Sequence, residues 1–232
     1  MNSDLPKVLH EICGRALVLH VLDVARELAP EKIVVVVGHK RELVEEALAG
    51  LSGVVTVVQD PPMGTGHAVL QAEPAISSEF SEVLILAGDV PLLRARTLDR
   101  LLESLMDADL TVLSTTAPNP DGYGRIVRDG EGRFLAIVEH KDATAEQRKV
   151  NEINSGVYVV SRDALFSALH KVKPNNAKGE YYLTDIVGIL QADGARVQAV
   201  RGGEFDELQG INTPEELREA EAALQARQAT GG

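Results

Sequence analysis

The feature that most limits what this chain can fold into is a set of short, unbroken apolar runs rich in β-branched residues. Lys32-Ile33-Val34-Val35-Val36-Val37, Val54-Val55-Thr56-Val57-Val58, Val83-Leu84-Ile85-Leu86-Ala87 and Leu110-Thr111-Val112-Leu113 are apolar almost throughout. A strand with one wet face alternates polar and apolar residues, whereas a strand covered on both faces does not. These runs therefore predict strands buried in a parallel sheet with helices on either side. Between them the spacing becomes helical. Leu17, Val21, Val24 and Leu28 form one stripe with Pro30 just past its stop; Leu43, Ala47 and Leu48 mark a second helix, and Leu98, Leu101, Leu102 and Leu105 a third. Strand–helix–strand repetition with short connections predicts a doubly wound, Rossmann-like α/β fold with a mostly parallel sheet. Its ligand site is expected at the carboxyl ends of the strands.

The texture changes after Pro118-Asn119-Pro120-Asp121-Gly122. Residues 123–128 and 134–139 flank Asp129-Gly130-Glu131-Gly132, a hairpin signal. A strand is expected at 156–160, then a helix with Ser161 as N-cap, a helix over 181–192 and a short strand at 196–200. The last helix opens with Thr213-Pro214-Glu215-Glu216: Thr at the N-cap, Pro at the first helical position and Glu at the third, a capping box. Thr230-Gly231-Gly232 is expected to fray. No repeat or linker divides the chain, so residues 1–232 read as one domain with an inserted β-rich portion.

Composition narrows the class of function. A chain of 232 residues, 44% hydrophobic, is long enough to bury a real core. Its net charge of −12 argues against gripping nucleic acid or an anionic membrane through the overall field, while leaving room for a local basic pocket. No apolar run approaches the roughly 20 residues of a membrane span. The single cysteine, Cys13, excludes an internal disulfide framework and a thiolate metal cluster; beside Gly14 it is expected to be a small buried apolar residue. The balance fits a soluble protein of a reducing compartment.

The candidate chemistry lies where the buried runs end. The second run passes into Gln59-Asp60-Pro61-Pro62-Met63-Gly64-Thr65-Gly66-His67-Ala68. Gly64 and Gly66 around Thr65 let a backbone approach a planar or anionic ligand closely, and the Gln59 amide can pair with a nucleobase edge; the same pattern also suits an ordinary strand–helix turn. His67 reads as a packing or capping residue, since no second His sits at ligand spacing. The third run ends in Gly88-Asp89-Val90-Pro91-Leu92. Asp89 is placed to hold Mg²⁺ on substrate phosphates, or simply to cap the turn. Asn212, far away in sequence, is either a second hard oxygen ligand or a turn residue before the capping box. Lys7, between Pro6 and Val8, is either a directed point charge for phosphate or a solvated surface residue. Glu139-His140-Lys141-Asp142 is by default a solvated charge run. Yet Gly124, Glu139 and Asn154 all stand beside expected strand ends, where they can hydrogen-bond one polar ligand such as a sugar.

Taken together, these segments resemble one family. Leu5-Pro6-Lys7-Val8-Leu9-His10, Gly64-Thr65-Gly66-His67-Ala68, Gly88-Asp89-Val90-Pro91-Leu92, Gly122-Tyr123-Gly124-Arg125-Ile126, Ile137-Val138-Glu139-His140-Lys141-Asp142-Ala143-Thr144, Glu152-Ile153-Asn154-Ser155-Gly156, residues 175–185 and Gly210-Ile211-Asn212 occur in this order. They resemble the N-terminal uridylyltransferase domain of the bacterial bifunctional N-acetylglucosamine-1-phosphate uridylyltransferase/glucosamine-1-phosphate acetyltransferase, over essentially the whole chain. The resemblance implies a nucleotidyltransferase fold and an Mg²⁺-dependent cytoplasmic enzyme. UTP and N-acetylglucosamine 1-phosphate would give UDP-N-acetylglucosamine, a precursor for peptidoglycan and lipopolysaccharide, and pyrophosphate. By motif, Asp89 and Asn212 would hold Mg²⁺, and Lys7 would neutralise nucleotide phosphate. Gln59, Gly64 and Thr65 would bind uracil, and Gly124, Glu139, Asn154 and Thr184 the sugar. The chain would then divide into a nucleotide-binding portion near 1–117, a sugar-binding portion near 118–212 and a C-terminal helix at 213–232.

Two departures accompany the resemblance. In the family a buried first strand and a Gly-rich, Arg-containing loop ending in Met precede this point, and Met1 stands where that Met would be. Nothing in the sequence resembles the left-handed β-helix acetyltransferase domain. Two other classes remain open on sequence: a non-catalytic module that binds sugar nucleotides, and a pyrophosphorylase of different base or sugar preference.

Overall fold

A computed structural model describes residues 4–230; the expectations attached to Met1, Asn2 and Ser3 and to Gly231 and Gly232 lie outside them. The chain opens with a 3-10 turn, Lys7–Leu9, and a small hairpin of β1 (Glu11–Ile12) and β2 (Arg15–Ala16). Cys13 and Gly14 form its two-residue turn with φ of 50° and 73°, the left-handed pair that matches strand twist in a tight hairpin. Cys13 is consequently exposed rather than buried, which corrects the expectation: the turn, not the core, determines where that residue sits.

Helix α1 (Leu17–Glu27) follows, then β3 (Ile33–Val37), α2 (Arg41–Leu48), β4 (Val54–Val58), α3 (Thr65–Leu70), β5 (Glu82–Ile85), α4 (Ala95–Ser104) and β6 (Leu110–Thr116). Apart from α3, expected only as the helix after the glycine-rich turn, these elements fall where apolar spacing predicts them. The second half contributes β7 (Arg125–Arg128), β8 (Phe134–Val138), α5 (Ala145–Arg148), β9 (Glu152–Ser161), α6 (Arg162–Leu169), α7 (Ile186–Ala192), β10 (Val197–Arg201), α8 (Phe205–Leu208) and α9 (Pro214–Thr230). The helix expected over 181–192 begins later. Tyr181 lies outside regular structure, Tyr182 is extended, and a 3-10 turn at Leu183–Asp185 leads into α7.

The sheet is mixed. β3 and β4 pair in parallel, as do β6 and β10, whereas β9 lies between β5 and β6 and runs against both. Near Ser161 it pairs with those two strands; toward Glu152 it leaves β5 and meets β7, carrying the β7–β8 hairpin onto the same sheet. The change of partner falls at Gly156, whose φ is 79°, opposite an irregularity in β6 between Val112 and Ser114. A strand in such a switch needs a residue free to adopt positive φ.

Among the described residues β3 and β5 are not hydrogen-bonded to each other. Helix α1 reaches both: Val18 and Leu22 share a buried cluster with Val37, while Val24 and, just past the helix end, Leu28 pack against the same cluster as Leu84, Leu86 and Ala87. The burial of the four apolar runs follows their pairing. β6 has a strand on each side and its first six residues are buried, whereas β3, β4 and β5 are mostly half-buried and Val55 is 40% exposed. The reading of all four as covered strands therefore holds fully only for β6.

Candidate active site

Asp89 emerges just beyond β5, and its backbone carbonyl accepts from the N–H of Ile211, 2.9 Å away. That bond brings the 210–212 turn beside a residue more than 120 positions earlier. A Cβ on Gly210 would lie 3.4 Å from Asp89 Oδ2, so the turn closes against the carboxylate. Asn212 is oriented from both sides: its Nδ2 donates to Gly210 O at 3.0 Å, and its N–H donates to Glu216 Oε2 at 2.6 Å. Glu216 also accepts from the N–H of Thr213, and Thr213 Oγ1 accepts from the N–H of Glu216, which completes the expected capping box of α9.

Lys7 joins this pair. Its ammonium donates to Asp89 Oδ2 and, at 2.6 Å, to Asn212 Oδ1. The 3-10 turn fixes its backbone, and Val8 packs where a Cβ on Gly88 would sit 3.4 Å away. So held, the Lys7 ammonium is directed at Asp89 and Asn212. Sequence reasoning missed Tyr123 here. Its phenol is pushed up to about 12, first by burial and then by the charges of Glu216 and Asp89. Tyr123 directly precedes Gly124, a member of the next cluster.

Gly124, Glu139, Asn154 and Thr184 lie together. The N–H of Asn154 donates to Gly124 O at 2.9 Å, and Thr184 Oγ1 donates to Glu139 Oε1 at 3.2 Å. A Cβ on Gly124 would lie 3.6 Å from both Asn154 Cβ and Glu139 Oε1, and 3.0 Å from Ile137, so glycine is what lets the three approach. Burial raises the Glu139 carboxyl above the ordinary range, against the lowering effect of the Thr184 hydroxyl and the Lys178 charge. Asn154 is held by its own amide, which donates to the Tyr158 hydroxyl at 2.6 Å and accepts from the N–H of Gly156 at 3.0 Å. Arg125 anchors the turn before β7. Its fully buried guanidinium donates to Tyr123 O and approaches His140 Nδ1 at 3.3 Å.

The glycine loop differs from its simplest reading. Gly64 and Gly66 approach protein rather than open space: a Cβ on Gly64 would lie 2.6 Å from Tyr181 O, and the N–H of Gly66 donates to that same oxygen at 2.8 Å. Thr65 Oγ1 accepts from the N–H of Leu183 at 3.0 Å. Gln59 Nε2 donates to Gly64 O at 2.9 Å and lies 3.0 Å from His67 Nδ1, while Gln71 Nε2 lies 3.1 Å from His67 Nε2. His67 is thus a packing residue, as expected. The loop is stitched to 181–184, and Thr184 carries the connection on to Glu139. Seven candidates thus lie along one run, from Gln59, Gly64 and Thr65 through Thr184 to Glu139, with Gly124 and Asn154 against it, while Lys7, Asp89 and Asn212 form a second group.

The donor set around Lys7 fits a hard divalent cation. Asp89 Oδ2 and Asn212 Oδ1 already converge on one positive charge, and Mg²⁺ ordinarily takes one or two such protein oxygens, filling its shell with water and phosphate. Among the described residues no cluster of three or more His, Cys, Asp or Glu offers a dedicated metal cage. No helix there is long and apolar enough to cross a membrane.

The model for the MobA-like NTP transferase domain matches residues 1–185. The chain belongs to this family. Similar curated proteins are the bifunctional protein GlmU of Cellvibrio japonicus, 47% identical over 229 residues, and that of Thermobifida fusca, 47% identical over 235. They cover 99% and 98% of this chain, which itself spans about half of their length, 50% and 48%. Among solved structures, HddC from Yersinia pseudotuberculosis complexed with GMP-PN superposes with a TM-score of 0.69 at 19% identity, covering 97% of this chain and 92% of that one. At that identity the likeness shows the fold. The NTP transferase membership agrees with the motif resemblance and makes nucleotidyl transfer the reaction class.

Proposed function

We propose that this NTP transferase domain joins UTP to N-acetylglucosamine 1-phosphate, giving UDP-N-acetylglucosamine and pyrophosphate. The observation that carries the proposal is the meeting of Lys7, Asp89 and Asn212 beside the Gly124–Glu139–Asn154–Thr184 cluster. One end offers what triphosphate requires, and the other offers oriented polar groups for a sugar. The curated relatives that carry the name GlmU support the choice of substrates.

The attacking group is itself a phosphate, carrying about −1.5 to −2 charge at pH 7, so no protein nucleophile or strong base is required. Its oxygen forms a bond to the α-phosphorus of UTP as the α–β P–O bond breaks, and pyrophosphate leaves with that electron pair. The protein's task is alignment and charge compensation. Mg²⁺ held by Asp89 and Asn212 would spread the charge that develops on the phosphate oxygens. Lys7 supplies a point charge beside it. Glu139 accepts from a sugar hydroxyl when ionised, with Gly124 giving the ring close approach and Asn154 and Thr184 flanking it. Gln59, Gly64 and Thr65 set the position of the base. In this reading residues 1–117 chiefly serve the nucleotide and residues 118–212 the sugar, with α9 supporting Asn212.

Base choice is tested by supplying the sugar phosphate and Mg²⁺ with equimolar UTP, dTTP and CTP and identifying the sugar nucleotides by mass spectrometry. UDP-N-acetylglucosamine is expected as the main product. A dominant dTDP or CDP product would assign the site to a different base. In the same assay Glu139→Ala should raise the Michaelis constant for the sugar phosphate by about ten-fold, the loss of one buried hydrogen-bond acceptor. An unaltered constant would remove Glu139 from the sugar site.

A further inference from the structure

We propose that the Lys7 ammonium is the resident occupant of the divalent-cation position, so that a metal ion and the ammonium exclude one another there. Metal entry would then release Lys7 toward the nucleotide phosphates. The inference rests on the reading of Asp89 and Asn212 as metal ligands, and it goes beyond that reading by assigning an order to the two charges.

The geometry is that of one site with two claimants. Lys7 Nζ donates to the same two oxygens, Asp89 Oδ2 and Asn212 Oδ1, that would face the metal. A divalent ion bound at about 2.1 Å from both oxygens would lie well inside the contact distance of an ammonium already bonded to them. Two such charges cannot share that space, and nearby like charges oppose each other strongly once partly withdrawn from water. The carboxylate and the amide are the fixed partners. Asp89 is tied to Ile211 through its backbone, Asn212 to Gly210 and Glu216, and the Asp89 side chain is 22% exposed. Lys7 is the partner that can yield. Its backbone is pinned in the 3-10 turn, but the ammonium rides on a flexible four-carbon stem and the side chain is 39% exposed. A lysine held this way keeps the two oxygens apart from other cations and preshaped for a metal. It also prevents the phosphate-binding charge from being available before the metal arrives.

The test measures metal binding to the protein alone. Mn²⁺ affinity is determined by electron paramagnetic resonance for the unaltered chain and for Lys7→Met, Lys7→Gln and Lys7→Arg. The ammonium resonance of Lys7 is followed separately by ¹H–¹⁵N NMR during titration with Mg²⁺. Lys7→Met and Lys7→Gln should bind Mn²⁺ about ten-fold more tightly, because a competing unit charge is gone, while Lys7→Arg should gain nothing. The Lys7 resonance, held in place by its two acceptors in the metal-free protein, should move to the position of a freely solvated lysine at saturating Mg²⁺. Equal Mn²⁺ affinities, an equal gain in Lys7→Arg, or a Lys7 resonance unchanged at saturation would overturn the exclusion while leaving the metal ligands in place. Absence of Mn²⁺ binding in the unaltered chain and in Lys7→Met and Lys7→Gln alike would overturn the ligand assignment itself, and this inference with it.

Discussion

A Cβ on Gly64 would lie 2.6 Å from the Tyr181 carbonyl oxygen and 2.9 Å from its nitrogen, in a backbone with φ of 110°. Space and conformation both demand glycine, so Gly64→Ala should lower stability by at least about 2 kcal/mol, read as a fall in the urea midpoint at unchanged slope. An unaltered midpoint would mean that the loop does not press on Tyr181. The sequence left this turn open between close approach to a ligand and an ordinary strand–helix turn; that chain presses on it could not be read, since Tyr181 lies more than a hundred residues away. Cys13 was misjudged for a related reason. Its type suggested burial, but a two-residue hairpin turn with positive φ at both positions overrode that preference. Lys7, Asp89 and Asn212 were legible as candidates from motif order alone. Their mutual contact, and the approach of Tyr123 and Glu216 to them, exist only after folding.

Strand β9 is the element on which the layout depends, because it pairs with the main sheet at one end and with the β7–β8 hairpin at the other. Its first residue, Glu152, is 7% exposed and accepts from Ser114 Oγ at 2.6 Å, from two nitrogens of Arg128 and from Arg201 at 3.0 Å. Three strands besides its own thus converge on one carboxylate. Burial alone would raise this group, but the bonds from Arg128, Ser114 and Arg201 more than offset it and hold it at about 2 against an ordinary 4.5. A depressed carboxylate stabilises the fold fully above its unfolded value and loses that contribution as pH falls toward its folded value. The window is therefore from about pH 4.5 down to about pH 2. Glu152→Gln should cost on the order of 3 kcal/mol at pH 7 in denaturant titration, and the difference should shrink to little as pH nears 2. A cost that stays constant with pH would mean that shape, not charge, accounts for the role of Glu152. Strand periodicity located β9 only over its apolar half. The polar half, including Glu152, carries no apolar signal, because its partners are ions and hydroxyls.

At the scale of the whole molecule, the α/β class, the order of its longer strands and helices and the capping box of α9 were readable from periodicity and turn chemistry, whereas the β1–β2 hairpin and the short helices α5 and α8 were not. The mixed sheet was not. An apolar run says that a strand is covered, but not whether its neighbour runs with it or against it, and the half-buried β3, β4 and β5 show that pairing controls cover as strongly as composition does. The net charge of −12 acquires a sharper meaning from the site. In the proposed reading, an acidic protein that takes a triphosphate and a sugar phosphate would do so through a few placed cations, Lys7 among them, with a metal ion at Asp89 and Asn212. The most direct test is pyrophosphate release from UTP, N-acetylglucosamine 1-phosphate and Mg²⁺, compared between this chain and Asp89→Ala. Release should require both substrates and should fall by about 100-fold or more in the variant, the usual cost of removing one group that stabilises developing charge. Release that proceeds without the sugar phosphate, or that survives Asp89→Ala at full rate, would contradict the account.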